Sequence, residues 1–136
     1  MKISKSNIFV FVLLISVLIY FFLKGEKREQ KLLENYKFTV GEISSEWHSK
    51  TTFKSFGIDY FYNLNKQKYE GIAKKKDLVI GEKYLVIYDS VELKFGKLLP
   101  MYPLPDSIEP PPNGWRLDEV PIEVDWKKIE KYILNR

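Results

Sequence analysis

His48 is the single histidine in the chain, and Glu46 stands two residues before it. On a strand that spacing puts both side chains on one face, where they could offer a metal two ligands. A stable site takes three or four, and the chain has no cysteine to complete one. Ser44, Ser45, Asp59 and Asp89 are, by residue type, the groups of a hydrolytic triad or a carboxylate pair. None of them lies in a nucleophile elbow or a comparable strand-turn-helix motif. The sequence therefore assigns no catalytic, cofactor-binding or metal-ligating residue, and it reads as a non-enzyme. His48 is expected on the surface, in the loop after the first strand.

Two binding chemistries stand beside catalysis. Tyr60, Phe61, Tyr62 and Tyr69 lie close in sequence to Lys66, Lys68, Lys74, Lys75 and Lys76, the aromatic and basic mixture on which single-stranded nucleic acid stacks. Strand alternation offers a plainer cause, since one set of these rings must face the core and the lysines fall at a turn and a loop. Charge agrees. Setting Lys2 and Lys5 aside from the 22 basic residues leaves near balance against 18 acidic ones, far from the basic field of a nucleic-acid binder. No nucleic acid is expected. Pro100-x-x-Pro103 and the run Pro110 to Pro112 could instead present a polyproline II ligand to a protein, or form a structural arm that crosses the sheet and covers an edge.

The elements that would position these groups begin with a membrane segment. From Ile8 to Leu23 the chain reads IFVFVLLISVLIYFFL, without a charge. As a helix it covers roughly 24 Å, a little less than the roughly 30 Å hydrocarbon slab. Lys5 and Lys24 can close the gap by extending their ammonium groups to water, and Tyr20 suits an interfacial depth. A cleaved signal peptide is disfavoured, because Tyr20, Phe21, Phe22, Leu23 and Lys24 offer no small-residue cleavage site. The expected partner of Ile8 to Leu23 is thus a lipid bilayer, crossed once. Lys24, Lys27, Arg28 and Lys31 outnumber Lys2 and Lys5, which favours a cytoplasmic C-terminal domain, whereas a short N-terminal tail suits the opposite, signal-anchor insertion. Both orientations stand. Residues 24–36 are charged and rich in helix formers, and are expected to continue the helix as a solvated stalk.

Residues 37–99 carry the period of two that marks half-buried strands. The first strand reads KFTVGEIS, with a bulge or bend expected at Gly41. In FKSFGIDYFYNL, Phe56, Ile58, Tyr60, Tyr62 and Leu64 share a face, Asn65-Lys66 makes a turn, and KYEGIAK returns. A two-residue loop pairs Tyr62 with Tyr69, Tyr60 with Gly71 and Ile58 with Ala73. KYLVIYD is apolar on both faces and should be the most buried strand, and KFGKLL adds a fifth that ends at Pro100. All 7 prolines lie between Pro100 and Pro121. Residues 100–136 are therefore read as a proline-rich arm, kept out of the sheet by its missing backbone donors, and a short terminal helix, WKKIEKYILNR. Asp125 caps that helix, and Trp126, Ile129 and Ile133 dock it.

The expected fold is mainly β, a transmembrane helix plus a small antiparallel barrel or sandwich of four or five strands, followed by the arm and helix. Val40-Gly41-Glu42-Ile43, Tyr60-Phe61-Tyr62-Asn63, Tyr69-Glu70-Gly71, Ile80-Gly81 and Val86-Ile87-Tyr88-Asp89 follow an N-terminal apolar helix. From Phe38 to Leu99 this order resembles a widespread family of small bacterial membrane-anchored β domains of unknown function. The resemblance implies membrane attachment and a bacterial source, and no activity. The functional expectation is a membrane-tethered binding or structural module that engages a protein at the sheet edge or along the arm from Pro100 to Pro112. The alternative is a small hydrolase or transport accessory with a site in the barrel mouth, which would bring at least two of His48, Glu46, Asp59 and Asp89 together in a concave pocket.

Overall fold

The computed structural model describes residues 4–50 and 55–134. The expected strand start at Phe53, the charge at Lys2, and Asn135 and Arg136 at the end of the terminal helix lie outside the described residues.

Helix α1 (Lys5–Glu34) is continuous through the apolar run and the charged segment after it. Ser4 caps it by accepting from the Asn7 amide at 3.3 Å, meeting one of the donors every helix start leaves open. Ser16 donates to the Val12 carbonyl at 2.9 Å, so its hydroxyl is satisfied within the helix. The window Lys5–Phe22 is long and apolar enough to cross a membrane, and none of it is buried against the rest of the chain. It is therefore not a core helix of this fold, although a signal sequence has the same composition. The last turns differ from the solvated stalk expected from their charge. Leu32 is buried with Phe38, Ile129 and Ile133, because the two leucines of KLLE give this end of the helix one apolar face to lay on the sheet.

Six strands follow: β1 (Tyr36–Ile43), β2 (His48–Lys50), β3 (Ser55–Leu64), β4 (Gln67–Ala73), β5 (Lys83–Asp89) and β6 (Gly96–Leu104). All pairings are antiparallel. β1 lies between β3 and β5, β6 adds to β5, and β4 adds to β3, while the short β2 also pairs with β3. The two end strands, β4 and β6, approach one another without sharing a ladder. One sheet thus curls into a partly open barrel, the only way so few strands can enclose a core.

The β3–β4 hairpin takes the register expected from the sequence, with Tyr62 opposite Tyr69, Tyr60 opposite Gly71 and Ile58 opposite Ala73. Its two loop residues, Asn65 (φ 50) and Lys66 (φ 68), both adopt the left-handed conformation, the type I′ geometry whose twist matches a two-residue hairpin. Of the bulge or bend expected at Gly41, the bulge is absent. β1 and β5 run in unbroken register past it, and glycine is required there because a Cβ would collide with Val86. β5 is the most buried strand, with every residue from Tyr84 to Asp89 covered.

β6 does not end at Pro100. It continues through Pro103 to Leu104, with a register shift opposite Tyr84 and Leu85. That shift lets residues 100–102 bow out of the ladder, so the missing donor at Pro100 breaks no pair, and Pro103 sits where the strand is again at the sheet margin. Beyond it the chain crosses the outer face and is pinned by reciprocal bonds between Phe38 and Trp115 of 2.8 and 2.6 Å. Helix α2 (Trp126–Leu134) begins at Asp125, whose carboxylate accepts from the Lys127 amide at 3.0 Å.

Both faces of the sheet are buried. Inside the curl are Ile43, Ile58, Tyr60, Tyr62, Leu64, Ala73, Leu78, Tyr84, Val86, Tyr88 and Leu98. Outside, Phe38, Leu85, Ile87 and Leu99 are covered by Leu32, Trp115, Ile129 and Ile133. Ile129 and Ile133 are fully buried, each stabilising the fold by about 1.5–3 kcal/mol. The arm and α2 are therefore part of the domain's core.

Candidate functional site

Strand β2 carries His48, which is opposite Gly57 of β3. The residue next but one along β3, Asp59, accepts from the imidazole Nε2 at 2.9 Å through Oδ2. His48 is thus partly exposed as expected, but it opens strand β2 and is paired, where a loop position was expected. The β2–β3 ladder holds it there. Ser45 completes the corner by accepting from the Asp59 amide at 2.9 Å and donating to the Glu46 carbonyl at 3.1 Å. Serine, histidine and aspartate are therefore neighbours, but the Ser45 hydroxyl is engaged with backbone and not with the imidazole, so no proton relay runs from nucleophile to base. Oδ1 of Asp59 is buried without a hydrogen-bond partner among the described residues.

The other candidates lie elsewhere. Glu46 and Ser44 are exposed. Asp89 is buried at the end of β5, and its Oδ1 accepts from the amides of Val91 and Glu92 at 2.8 and 3.2 Å, an Asx-type turn that satisfies backbone. Among the described residues no three histidine, aspartate or glutamate side chains cluster as metal ligands. Of the four residues whose convergence would mark a catalytic pocket, two meet.

The barrel interior is closed by phenols. Tyr62 stacks with Tyr60, Tyr69 and Tyr88 at ring separations of 6.3, 5.6 and 6.2 Å. The hydroxyls of Tyr60, Tyr62 and Tyr88 donate to the carbonyls of Gly96, Leu93 and Asn113 at 3.1, 2.7 and 2.7 Å. Burial pushes Tyr60 and Tyr62 well above the ordinary phenol range, with neighbouring tyrosines adding to it. Burial alone pushes Tyr88 up to about 12, and burial, then the bond to Glu82, pushes Tyr84 up to about 12. These are neutral, bonded side chains with no proton to exchange near neutral pH. At the mouth, a depression of about 260 Å³ is bordered by Lys37, Tyr88, Ser90 and Asn113, and none of the catalytic candidates lines it.

A second depression has the makings of a binding site. The outward residues Val40 and Glu42 of β1 and Phe61 and Asn63 of β3 form its floor, with Glu42 directly across from Phe61. Residues 108–112 of the arm form its wall, and the volume is about 380 Å³. Three bonds fix that wall. The Ile108 amide donates to Pro105 at 3.2 Å, Asn65 donates to Pro112 at 3.0 Å, and Gly114 donates to Pro111 at 2.9 Å. Proline rings hold the intervening backbone stiff. The rim is charged in both signs, with Lys66 and Lys83 against Glu109, and Glu42 adds a carboxylate from the floor. Lys68 lies 4.5 Å above the Phe61 ring, a cation–π contact that keeps the ring in place.

Sequence reasoning named the arm as a possible partner surface but not the sheet residues facing it. Their signal was present in the phase of β1 and β3, where Val40, Glu42, Phe61 and Asn63 fall opposite the core-facing set. It lacked the path of the arm, which depends on the Phe38–Trp115 pairing across distant sequence.

Compared with known proteins, the chain matches no family model, no curated protein and no solved structure.

Proposed function

We propose that the chain is a membrane-tethered, non-enzymatic module that binds an extended protein segment in the cleft between the sheet and the proline-rich arm. The observation that carries this reading is the cleft itself: an apolar floor at Val40 and Phe61, a rim charged in both signs, and a wall pinned at both ends. Such a groove receives alternate side chains of a strand-like peptide while its rim selects charge. Preformed walls reduce the ordering cost of binding. The tether adds to this. With α1 crossing the bilayer once, the domain meets other membrane components at raised effective concentration, so a weak contact suffices. The resemblance to small membrane-anchored β domains of bacteria supports the tether alone.

Photo-crosslinking from native membranes tests it. A benzophenone amino acid at Phe61 should capture a defined membrane-associated protein, and the same group at the exposed Lys75 should not. Equal yields at both positions, or none at Phe61, would discard the cleft as a docking site. The span is tested separately: the full chain should resist alkaline carbonate extraction and retain Met1 or Lys2 at its mature N-terminus.

A further inference from the structure

A lysine faces the inside of the barrel where its mouth opens. Along β1, Phe38 and Val40 pack on the outer face and Ile43 in the inner core, so the alternation of a strand turns Lys37 inward. Its partner across the ladder is Tyr88, itself an inner-core residue. The two line the depression of about 260 Å³ at the mouth, to which Leu64 and Leu93 add apolar surface and Asn65, Ser90 and Asn113 a polar border. Its walls are fixed. The Tyr62 hydroxyl donates to the Leu93 carbonyl at 2.7 Å, the Tyr88 hydroxyl to the Asn113 carbonyl at 2.7 Å, and the Asn65 amide to the Pro112 carbonyl at 3.0 Å. Among the described residues no carboxylate lines this space. Lys37 is in no ion pair there, and the side chains of Asn65, Ser90 and Asn113 make no hydrogen bond. Glu119 senses the Lys37 charge, but its carboxylate accepts from the Arg116 amide and Nε at 2.9 and 3.1 Å. Asp89 shares the outer face of β5 with Leu85 and Ile87, and its Oδ1 is held by the amides of Val91 and Glu92.

We infer that the barrel mouth binds a small organic monocarboxylate, with its carboxylate on the Lys37 ammonium and the neutral donors of Asn65, Ser90 and Asn113, and its short apolar tail over Leu64 and Leu93. This site is separate from the cleft beside the arm. Asn65 is the one lining residue they share, and neither the peptide reading nor the membrane span is needed for it. Charge and size select the ligand class. One ammonium balances one negative charge, whereas a phosphate dianion is better matched by several cations or the fork of an arginine. The half-buried ammonium attracts an anion more strongly than it would in open water. The space is below the roughly 300–1,000 Å³ of pockets that take drug-sized ligands, so it suits a short acid and excludes a nucleotide or a folded peptide. The leucines give that acid a reason to leave water, since each buried methylene adds about 0.8 kcal/mol in transfer.

The test is a nuclear magnetic resonance titration of the isotope-labelled full chain in nonionic micelles, at constant ionic strength, with sodium butyrate, its neutral isostere butyramide, and inorganic phosphate. Butyrate should shift the backbone amide signals of Lys37, Ser90 and Asn113 along a saturating curve, and butyramide should leave them in place. Lys37→Met should weaken the apparent affinity by about tenfold, the worth of one bond to a charged group, and Lys37→Arg should retain most of it. Ser90→Ala alters an exposed residue whose hydroxyl holds nothing in the fold, and it should weaken butyrate binding even if Lys37→Met does not fold. Equal shifts with butyramide would reduce the mouth to an apolar void, and shifts that never saturate would remove the site. Phosphate bound more tightly than butyrate would contradict the carboxylate and its tail. Any one of these three results overturns the inference.

Discussion

Tyr60 lies across the β3–β4 ladder from Gly71, and a Cβ on Gly71 would stand 2.5 Å from both the Cζ and the hydroxyl of that ring. The ring cannot retreat, because it is buried against Tyr62 and its hydroxyl donates to Gly96. Gly71→Ala should therefore destabilise the domain by about 1–3 kcal/mol, the usual range for overpacking a filled core. Chemical denaturation of the full chain in micelles measures it. Adding Tyr60→Phe should recover part of the loss, since the hydroxyl is one of the two clashing atoms. A fully additive double variant would show that the contact is not the cause.

The buried phenols predict how the fold responds to alkali. Below about pH 10 the folded and unfolded chains both hold these protons, so Tyr60, Tyr62 and Tyr88 contribute no pH dependence. Above it the unfolded chain releases them, whereas Tyr88 holds its proton to about 12 and the other two hold theirs longer. Stability should fall from about pH 10 toward 12 by roughly 1.4 kcal/mol per pH unit for each such tyrosine. The share of tyrosinate absorbance that belongs to the buried phenols should appear in step with loss of the near-ultraviolet circular dichroism. Absorbance that rises fully while the folded signal persists would contradict the sealed interior.

Much of this architecture was legible because it is local. Alternation through Ile58, Tyr60 and Tyr62, small partners at Gly71 and Ala73, and a two-residue turn sufficed for the hairpin register. The apolar stripe of Trp126, Ile129 and Ile133 sufficed for the docked helix. What escaped reading is set by distant pairing. The continuation of β6 past Pro100 depends on a register shift against Tyr84 and Leu85, which no property of the proline segment announces. His48 read as a loop residue because its partner, Asp59, comes to it only through the β2–β3 ladder. The cleft has the same cause, since it exists only where the arm is carried past Phe61 by the pairing of Trp115 with Phe38.

Leu32 tests whether α1 and the domain act as one body. It is buried among Phe38, Ile129 and Ile133, so Leu32→Ala should cost about 2–5 kcal/mol through lost burial and the cavity left behind. Unaltered stability would mean that the end of α1 is not anchored in the outer core.

Thr39 offers the opposite sign. It is fully buried on β1, facing into the barrel, and its hydroxyl has no hydrogen-bond partner among the described residues. A buried polar group without a partner costs roughly 1–3 kcal/mol in desolvation that nothing offsets. Valine has nearly the same shape, keeps the branched Cβ that suits a strand, and replaces the hydroxyl with a methyl group. Thr39→Val should therefore raise stability by about 1 kcal/mol, read as a higher denaturation midpoint at unchanged slope. Thr39→Ser, which keeps the hydroxyl and loses a methyl group, should lower it. If valine destabilises as serine does, the hydroxyl is satisfied in solution by a buried water, and the site is a hydrated pocket inside the barrel.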